Sequence, residues 1–151
     1  MVYEDRVTNK CSALLNLILG IREFYKQTNY DNKKFIETTI GAAIWYLPKN
    51  NEILFTGKIS KEAILKGEKS EDHLYPRKIA ASKLLIYKWE DEVDPVKTLS
   101  NLFMTKYGRY NYVSKSENKR LIKFQKSEVF ETPQKSYAAA GIELVSYDEE
   151  L

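Results

Sequence analysis

The chain has 151 residues, of which 43% are hydrophobic and 30% are charged. This composition is typical of a folded globular protein and excludes a disordered or fibrous chain. The longest apolar stretch, residues 13–21, is interrupted by Asn16 and Gly20, and it is far shorter than the roughly 20 residues of a membrane span. We therefore expect no transmembrane helix. Because the N-terminus lacks a signal-peptide pattern, we expect a cytoplasmic protein.

Charge and cysteine content narrow the function classes further. The net formal charge of +3, from 24 Lys and Arg against 21 Asp and Glu, is too small to indicate nucleic-acid binding by itself. Residues 106–126 hold seven Lys or Arg against one Glu, which favours either phosphate contacts or a solvated helix face. With one cysteine, Cys11, and one histidine, the chain lacks the residues for an internal disulfide or a conventional zinc site.

The first part of the chain predicts helices separated by one short strand. Asp31 is the predicted N-cap of the second helix, and Gly67 is the predicted C-cap of the helix at 60–66. The predicted elements are a helix at 14–25 with one buried face, a helix at 31–47, a strand at 52–56 and a helix at 60–66.

The second part alternates extended segments with capped helices. Asp94 and Pro95 form an N-cap and first-turn pair, and Ser114 and Glu117 have the spacing of a capping box. The predicted elements are an extended piece at 72–77, a helix to 89, a helix from 95 to about 108, a strand at 110–114, a helix to about 126, a helix at 133–140 and a strand at 142–147.

Two polar residues stand out for their chemistry. His73 follows Asp72 in extended chain, where neighbouring side chains point to opposite sides. Asp72 could then hold a metal ion while His73 takes a proton from water, although a lone histidine is more often a surface or core residue. Asn118 is predicted in the first turn of its helix, on the face of Leu121, Ile122 and Gln125, where an amide needs a ligand or a hydrogen bond. A simple contact to a neighbouring loop is the alternative.

Two short segments carry a resemblance to a known family. Asp72-His73-Leu-Tyr-Pro76, followed by Tyr112-Val-Ser-Lys-Ser-Glu-Asn118, resembles the HNH endonucleases of the ββα-metal fold. The resemblance spans roughly residues 68–126, and residues 1–60 share none. It implies that Asp72 and Asn118 bind one divalent ion, Mg²⁺ (or Mn²⁺), and that His73 is the general base.

The sequence departs from the family pattern at two points. Arg109 occupies the place of the middle Asn that orients the histidine, so Asn111 is the nearest substitute for that catalytic role. His73 and Asn118 are also far apart, which makes the helices around Lys83 and Leu99 insertions between the two strands of the motif.

These observations predict an α+β, mainly helical single domain. Its ββα-metal motif would have antiparallel strands around His73 and Tyr112, packed on a helix at 116–126, with a long insertion between its halves. The predicted regions are a helical N-terminal region, 1–58, and an HNH-like nuclease region forming one compact unit, 59–151.

The corresponding function is a metal-dependent DNA endonuclease, a hydrolase of the kind found in phages or restriction systems. Tyr107, Tyr110 and Tyr112 either stack on bases or belong to the core, and we favour the core. Cutting both strands would require a homodimer. The alternative is a non-catalytic helical module that binds nucleic acid or protein. The residues predicted to contact nucleic acid are Arg77, Arg109, Lys115, Lys119, Arg120 and Lys123.

Overall fold

The computed structural model describes residues 1–147, and the last four residues of the predicted 59–151 region lie outside this part. Contacts divide the chain into two compact units, one made of residues 1–50 and 77–108 and the other of residues 51–76 and 109 onward. We call them unit 1 and unit 2. This division differs from the predicted boundary after residue 58, because residues 51–58 belong with the later strands and residues 77–108 with the N-terminal helices.

The described residues form helices and a small sheet, which confirms the α+β class. None of these helices is long and apolar enough to cross a membrane. In chain order the elements are α1 (Tyr3–Gln27), α2 (Tyr30–Trp45), α3 (Asn51–Leu54), β1 (Phe55–Ser60), α4 (Lys61–Lys66), β2 (Ser70–His73), α5 (Arg77–Ile86), α6 (Pro95–Leu102), β3 (Tyr110–Val113), α7 (Lys115–Leu121), α8 (Pro133–Ala140) and β4 (Leu144–Ser146).

Unit 1 is helical, and α1 contacts α2, α5 and α6. The predicted buried face of the first helix is confirmed at Leu14, Ile18 and Tyr25, whereas Leu17 is exposed. Helix α2 begins earlier than predicted because Asn29, and not Asp31, is its N-cap. The Asn29 side chain accepts a hydrogen bond from a first-turn N–H, as an N-cap does.

The sheet of unit 2 has four strands in the order β2-β3-β1-β4. Strand β1 runs parallel to β3 and antiparallel to β4. Strands β2 and β3 pair antiparallel, with Asp72 opposite Asn111 and His73 opposite Tyr110. The predicted antiparallel pairing of the chain around His73 and Tyr112 is therefore confirmed, and α7 contacts β2 as expected.

Apart from Asp31, the predicted caps are confirmed, whereas the bounds of one predicted strand are wrong. Residues 51–54 are helical, and β1 begins only at Phe55, where the chain pairs with Tyr110 of β3. Strand β4 is also shorter than predicted, since only three of its residues pair with β1. The confirmed caps are the N-caps Asp94 and Ser114 and the left-handed C-cap Gly67.

The apolar core of unit 2 lies where α7 and α8 meet β3. Leu121 of α7 is fully buried, but the next residue, Ile122, is 61% exposed, so only part of the predicted apolar face is inside. The reason is that α7 ends at Leu121 and continues as a tighter 3₁₀ turn, which moves Ile122 off the buried face. The core residues are Val113, Leu121, Tyr137, Ala140 and Ile142.

Candidate functional site

The β2–β3 pair presents two different faces. Residues directly opposite each other in an antiparallel pair share a face, and neighbours along a strand alternate. Asp72 and Asn111 therefore lie on one face, and His73 and Tyr110 lie on the other. We call the first the polar face and the second the aromatic face, which also carries Tyr112. The predicted opposite orientation of Asp72 and His73 is confirmed.

A hydrogen-bond network joins β1, β2, β3 and α8 on the polar face. Tyr137 Oη donates to Asp72 Oδ2 at 2.5 Å, and it accepts from Asn111 Nδ2 at 3.0 Å. Gln125 Nε2 donates to Asp72 Oδ1 at 2.9 Å, and the Thr56 hydroxyl donates to Asn111 Oδ1. The polar groups of these side chains therefore satisfy one another inside unit 2.

Asp72 has the environment of a structural carboxylate. The residue is 6% exposed, and one carboxylate oxygen accepts a hydrogen bond from Tyr137 and the other from Gln125. Burial raises the pKa of Asp72, and these two hydrogen bonds partly oppose that shift. Burial, and then the nearby Asp72 carboxylate, raise the pKa of Tyr137. The metal role predicted for Asp72 stays a prediction, and these contacts use one acceptor site on each carboxylate oxygen.

The catalytic role predicted for Asn111 stays a prediction, and the strand register shows where its side chain lies. Asn111 lies opposite Asp72, so its amide is on the polar face, away from the His73 side chain. Its amide hydrogen-bonds to Thr56 and Tyr137 and is part of the network on the polar face.

His73 lies on the aromatic face at the end of β2. Its side chain is half-buried, and its ring centroid is 5.9 Å from that of Tyr110. The backbone pairing continues one residue further, where the Leu74 N–H donates to the Arg109 carbonyl at 2.9 Å. The imidazole is thus held at the sheet end without being enclosed, as a proton acceptor requires.

Asn118 lies in α7 and is half-buried. Its backbone N–H donates to the Ser114 carbonyl at 2.9 Å, within the helix. Sequence reasoning chose Asn118 as the amide near Asp72, but the amide that bonds to Asp72 is Gln125. Within residues 1–147, no group of three or more His, Cys, Asp or Glu side chains is arranged to hold a metal ion.

The three arginines that were predicted to contact nucleic acid each make a contact within the protein. Arg109 Nη2 donates to the Phe55 carbonyl at 3.3 Å, and Arg120 Nε donates to the Ala140 carbonyl at 3.3 Å. Arg77 belongs to unit 1, where its guanidinium lies 5.0 Å from the Trp45 ring centroid. The predicted basic residues that are exposed in unit 2 without such a side-chain bond to a carbonyl are Lys115, Lys119 and Lys123.

A cleft on unit 2, which sequence reasoning missed, is lined by three half-exposed aromatic rings. The ring centroids of Phe55 and Tyr112 are 4.7 Å apart, and those of Phe55 and Tyr147 are 6.4 Å apart. The cleft has a volume of about 630 Å³. Tyr110 and Tyr107 are core residues, as favoured, but Tyr112 lines the cleft. The alternation of Tyr112 with Asn111 along the strand could have indicated that Tyr112 faces away from the buried polar network.

Comparison with known proteins finds no match among family models, curated proteins or solved structures.

Proposed function

We propose that unit 2 is an endonuclease unit that hydrolyses phosphodiester bonds of DNA, with His73 as its general base. The observation that carries this proposal is the order of elements around His73. Strands β2 and β3 pair antiparallel, and β3 leads through the Ser114 capping box into α7. This is the ββα order of the HNH family that residues 68–126 resemble.

The proposed chemistry is a proton transfer coupled to attack on phosphorus. An imidazole can accept a proton near neutral pH. Water would attack the phosphorus and lose its proton to His73, while the bond to the leaving oxygen breaks and that oxygen takes a proton from solvent. The dependence on Mg²⁺ or Mn²⁺, with Asp72 and Asn118 as the expected ligands, stays a prediction.

Phosphate contacts are assigned to the basic surface that follows β3. Lys115, Lys119 and Lys123 recur at every fourth position and are exposed. Residues four apart lie on the same side of a helix, so α7 offers Lys115 and Lys119 to a phosphate backbone, and exposed Lys123 follows in the next turn. Cleavage of both strands would use two copies of the chain, so a homodimer on DNA belongs to the proposal.

The aromatic cleft favours a second candidate, a unit that binds nucleic acid without cutting it. Half-exposed rings beside exposed lysines are a common means of holding single strands. Metal dependence separates the two candidates. A binding unit should hold DNA equally well in a chelator, whereas the endonuclease should cut only with an added divalent ion.

The deciding experiment compares plasmid cleavage by the parent protein and His73→Ala, with Mg²⁺, Mn²⁺ or a chelator. We expect the substitution to reduce the rate by about 10²- to 10⁴-fold while DNA binding stays nearly unchanged. His73 is the only histidine, so no other imidazole can replace it.

Lys83→Ala is the control, because Lys83 is exposed and belongs to unit 1. Cleavage by His73→Ala at the parent rate would refute the proposed base. DNA binding by the parent without cleavage in either metal would instead favour the binding unit.

A further inference from the structure

We propose that the cleft between Phe55, Tyr112 and Tyr147 binds an unpaired base of single-stranded DNA by stacking. The inference deepens the proposed function, on which it rests only for the identity of the ligand as DNA. The cleft volume of about 630 Å³ lies within the range of about 300–1,000 Å³ typical of ligand pockets.

The arrangement of the rings leaves aromatic surface for a ligand. Phe55 and Tyr112 are tilted by 37°, whereas Phe55 and Tyr147 meet edge to face at 78°. All three side chains are only half-buried. Stacking on such rings is open to any base because every base has a π-face, but it requires a base that is not already stacked in a duplex.

Charge around the cleft suits one base with its adjoining phosphate. The Lys69 ammonium lies over the Tyr147 ring, 4.8 Å from its centroid, and 5.6 Å from that of Tyr112, so a base stacking on these ring faces would displace the ammonium toward the adjoining phosphate. Glu52 lines the cleft, and Glu71 lies opposite Tyr112 on β2. These carboxylates disfavour a phosphate deep in the cleft, whereas Lys69 favours one at its edge.

A row of aromatic rings links the cleft to the proposed base. The centroid of Tyr110 is 5.7 Å from that of Tyr112 and 5.9 Å from that of His73. If a strand anchored by one base at Tyr112 runs along β3, its next phosphates lie near His73. Stacking in the cleft would select the single-stranded segment that the imidazole meets.

Tyr147→Ala is the most informative variant. Tyr147 follows β4, and its backbone N–H donates to the Gly57 carbonyl at 2.8 Å, a bond that alanine keeps. Tyr147→Phe keeps the ring and should restore binding. Tyr46→Ala is the matched control, because Tyr46 is an exposed tyrosine of unit 1.

The experiment measures fluorescence anisotropy of a labelled oligo-dT and of a labelled duplex, both in EDTA so that cleavage cannot intervene. We expect Tyr147→Ala to weaken oligo-dT binding by about 5- to 150-fold, the usual range for one lost base stack, with duplex binding changed less than about twofold. Tyr147→Phe and Tyr46→Ala should bind oligo-dT like the parent. Thermal melting confirms that each variant is folded.

Three results would overturn the inference. The first is a parent protein that does not bind oligo-dT. The second is a Tyr147→Ala variant that binds oligo-dT like the parent, and the third is a Tyr147→Ala variant that loses single-strand and duplex binding equally. Failure of the endonuclease proposal is a separate outcome, since it is read from plasmid cleavage with metal. Selective loss of oligo-dT binding without any cleavage would uphold the cleft and reject the nuclease.

Discussion

The polar and aromatic faces of the β2–β3 pair use polar side chains in opposite ways. On the polar face, the Asp72 carboxylate and the Asn111 amide are buried and bonded to Tyr137. On the aromatic face, His73 and Tyr112 are only half-buried. The comparison teaches that two adjacent residues, Asp72 and His73, can have different surroundings, one inside a buried hydrogen-bond network and the other at a partly exposed face.

The largest effect should come from the apolar core beneath the polar face. Leu121→Ala should lower the free energy of unfolding by about 2–5 kcal/mol, because a fully buried leucine leaves a cavity when truncated. Ile122→Ala changes the neighbouring, exposed residue and should cost at most about 0.5 kcal/mol. Urea unfolding of both variants tests this. Equal losses of unfolding free energy would contradict the exposed position of Ile122 after the end of α7.

A smaller effect is expected from removing one hydroxyl of the polar network. Tyr137→Phe takes away the donor to Asp72 and the acceptor of Asn111. Leaving two buried polar groups short of a partner should cost about 1–3 kcal/mol. Tyr46→Phe, at an exposed tyrosine, should be neutral. If urea unfolding gave the same stability for both variants, the network would not stabilise the polar face.

The pH dependence of stability should carry the signature of Asp72. Burial raises its pKa above the ordinary value of 3.8, so the folded state keeps this proton to a higher pH than the unfolded chain does. The stability of the parent relative to Asp72→Asn should therefore fall as the pH rises from about 3.8 through the raised pKa, by at most about 1.4 kcal/mol per pH unit.

The corresponding control is Glu71→Gln, which removes an exposed carboxyl from the same strand. The measurement is a series of urea unfolding curves between pH 3 and pH 7, in steps of about half a unit. A relative stability that rises with pH would show that Asp72 is stabilised as a carboxylate, as a metal ligand would be.

The smallest change in stability is expected for Lys119, which should differ from Arg109 in its effect on DNA binding. Lys119→Ala should change the free energy of unfolding by at most about 0.5 kcal/mol, but it should reduce the salt slope of DNA binding by about 0.9. Arg109→Ala should do the reverse, because Arg109 bonds to the Phe55 carbonyl. Binding titrations at several salt concentrations decide this, and a slope reduced by Arg109→Ala alone would exchange the two assignments.

Local signals predicted several helix caps, whereas strand partners needed long-range information. Asp94, Ser114 and Gly67 were identified because a cap acts on residues within one turn of itself. The start of β1 was missed because Phe55 is fixed by pairing with Tyr110, far along the chain. Residues 52–56 alone give no sign of that partner.

The candidate site was predictable in part for the same reason. The alternation of Asp72 and His73 follows from any extended chain. The face on which Asn111 lies depends on the register between β2 and β3, which cannot be derived from the sequence alone. The partners of Asp72 were beyond reach as well, because Gln125 and Tyr137 come from later segments that only the packed structure brings to β2.

The interruption of unit 2 by residues 77–108 has a consequence for the order of folding. All of unit 1 has been synthesised once the chain reaches Gly108, but β3 and β4 still lie ahead at that moment. Helices with local contacts also form faster than sheets with distant pairings. We therefore expect unit 1 to fold first during translation. Strands β1 and β2 should stay unpaired until β3, their common partner, has left the ribosome.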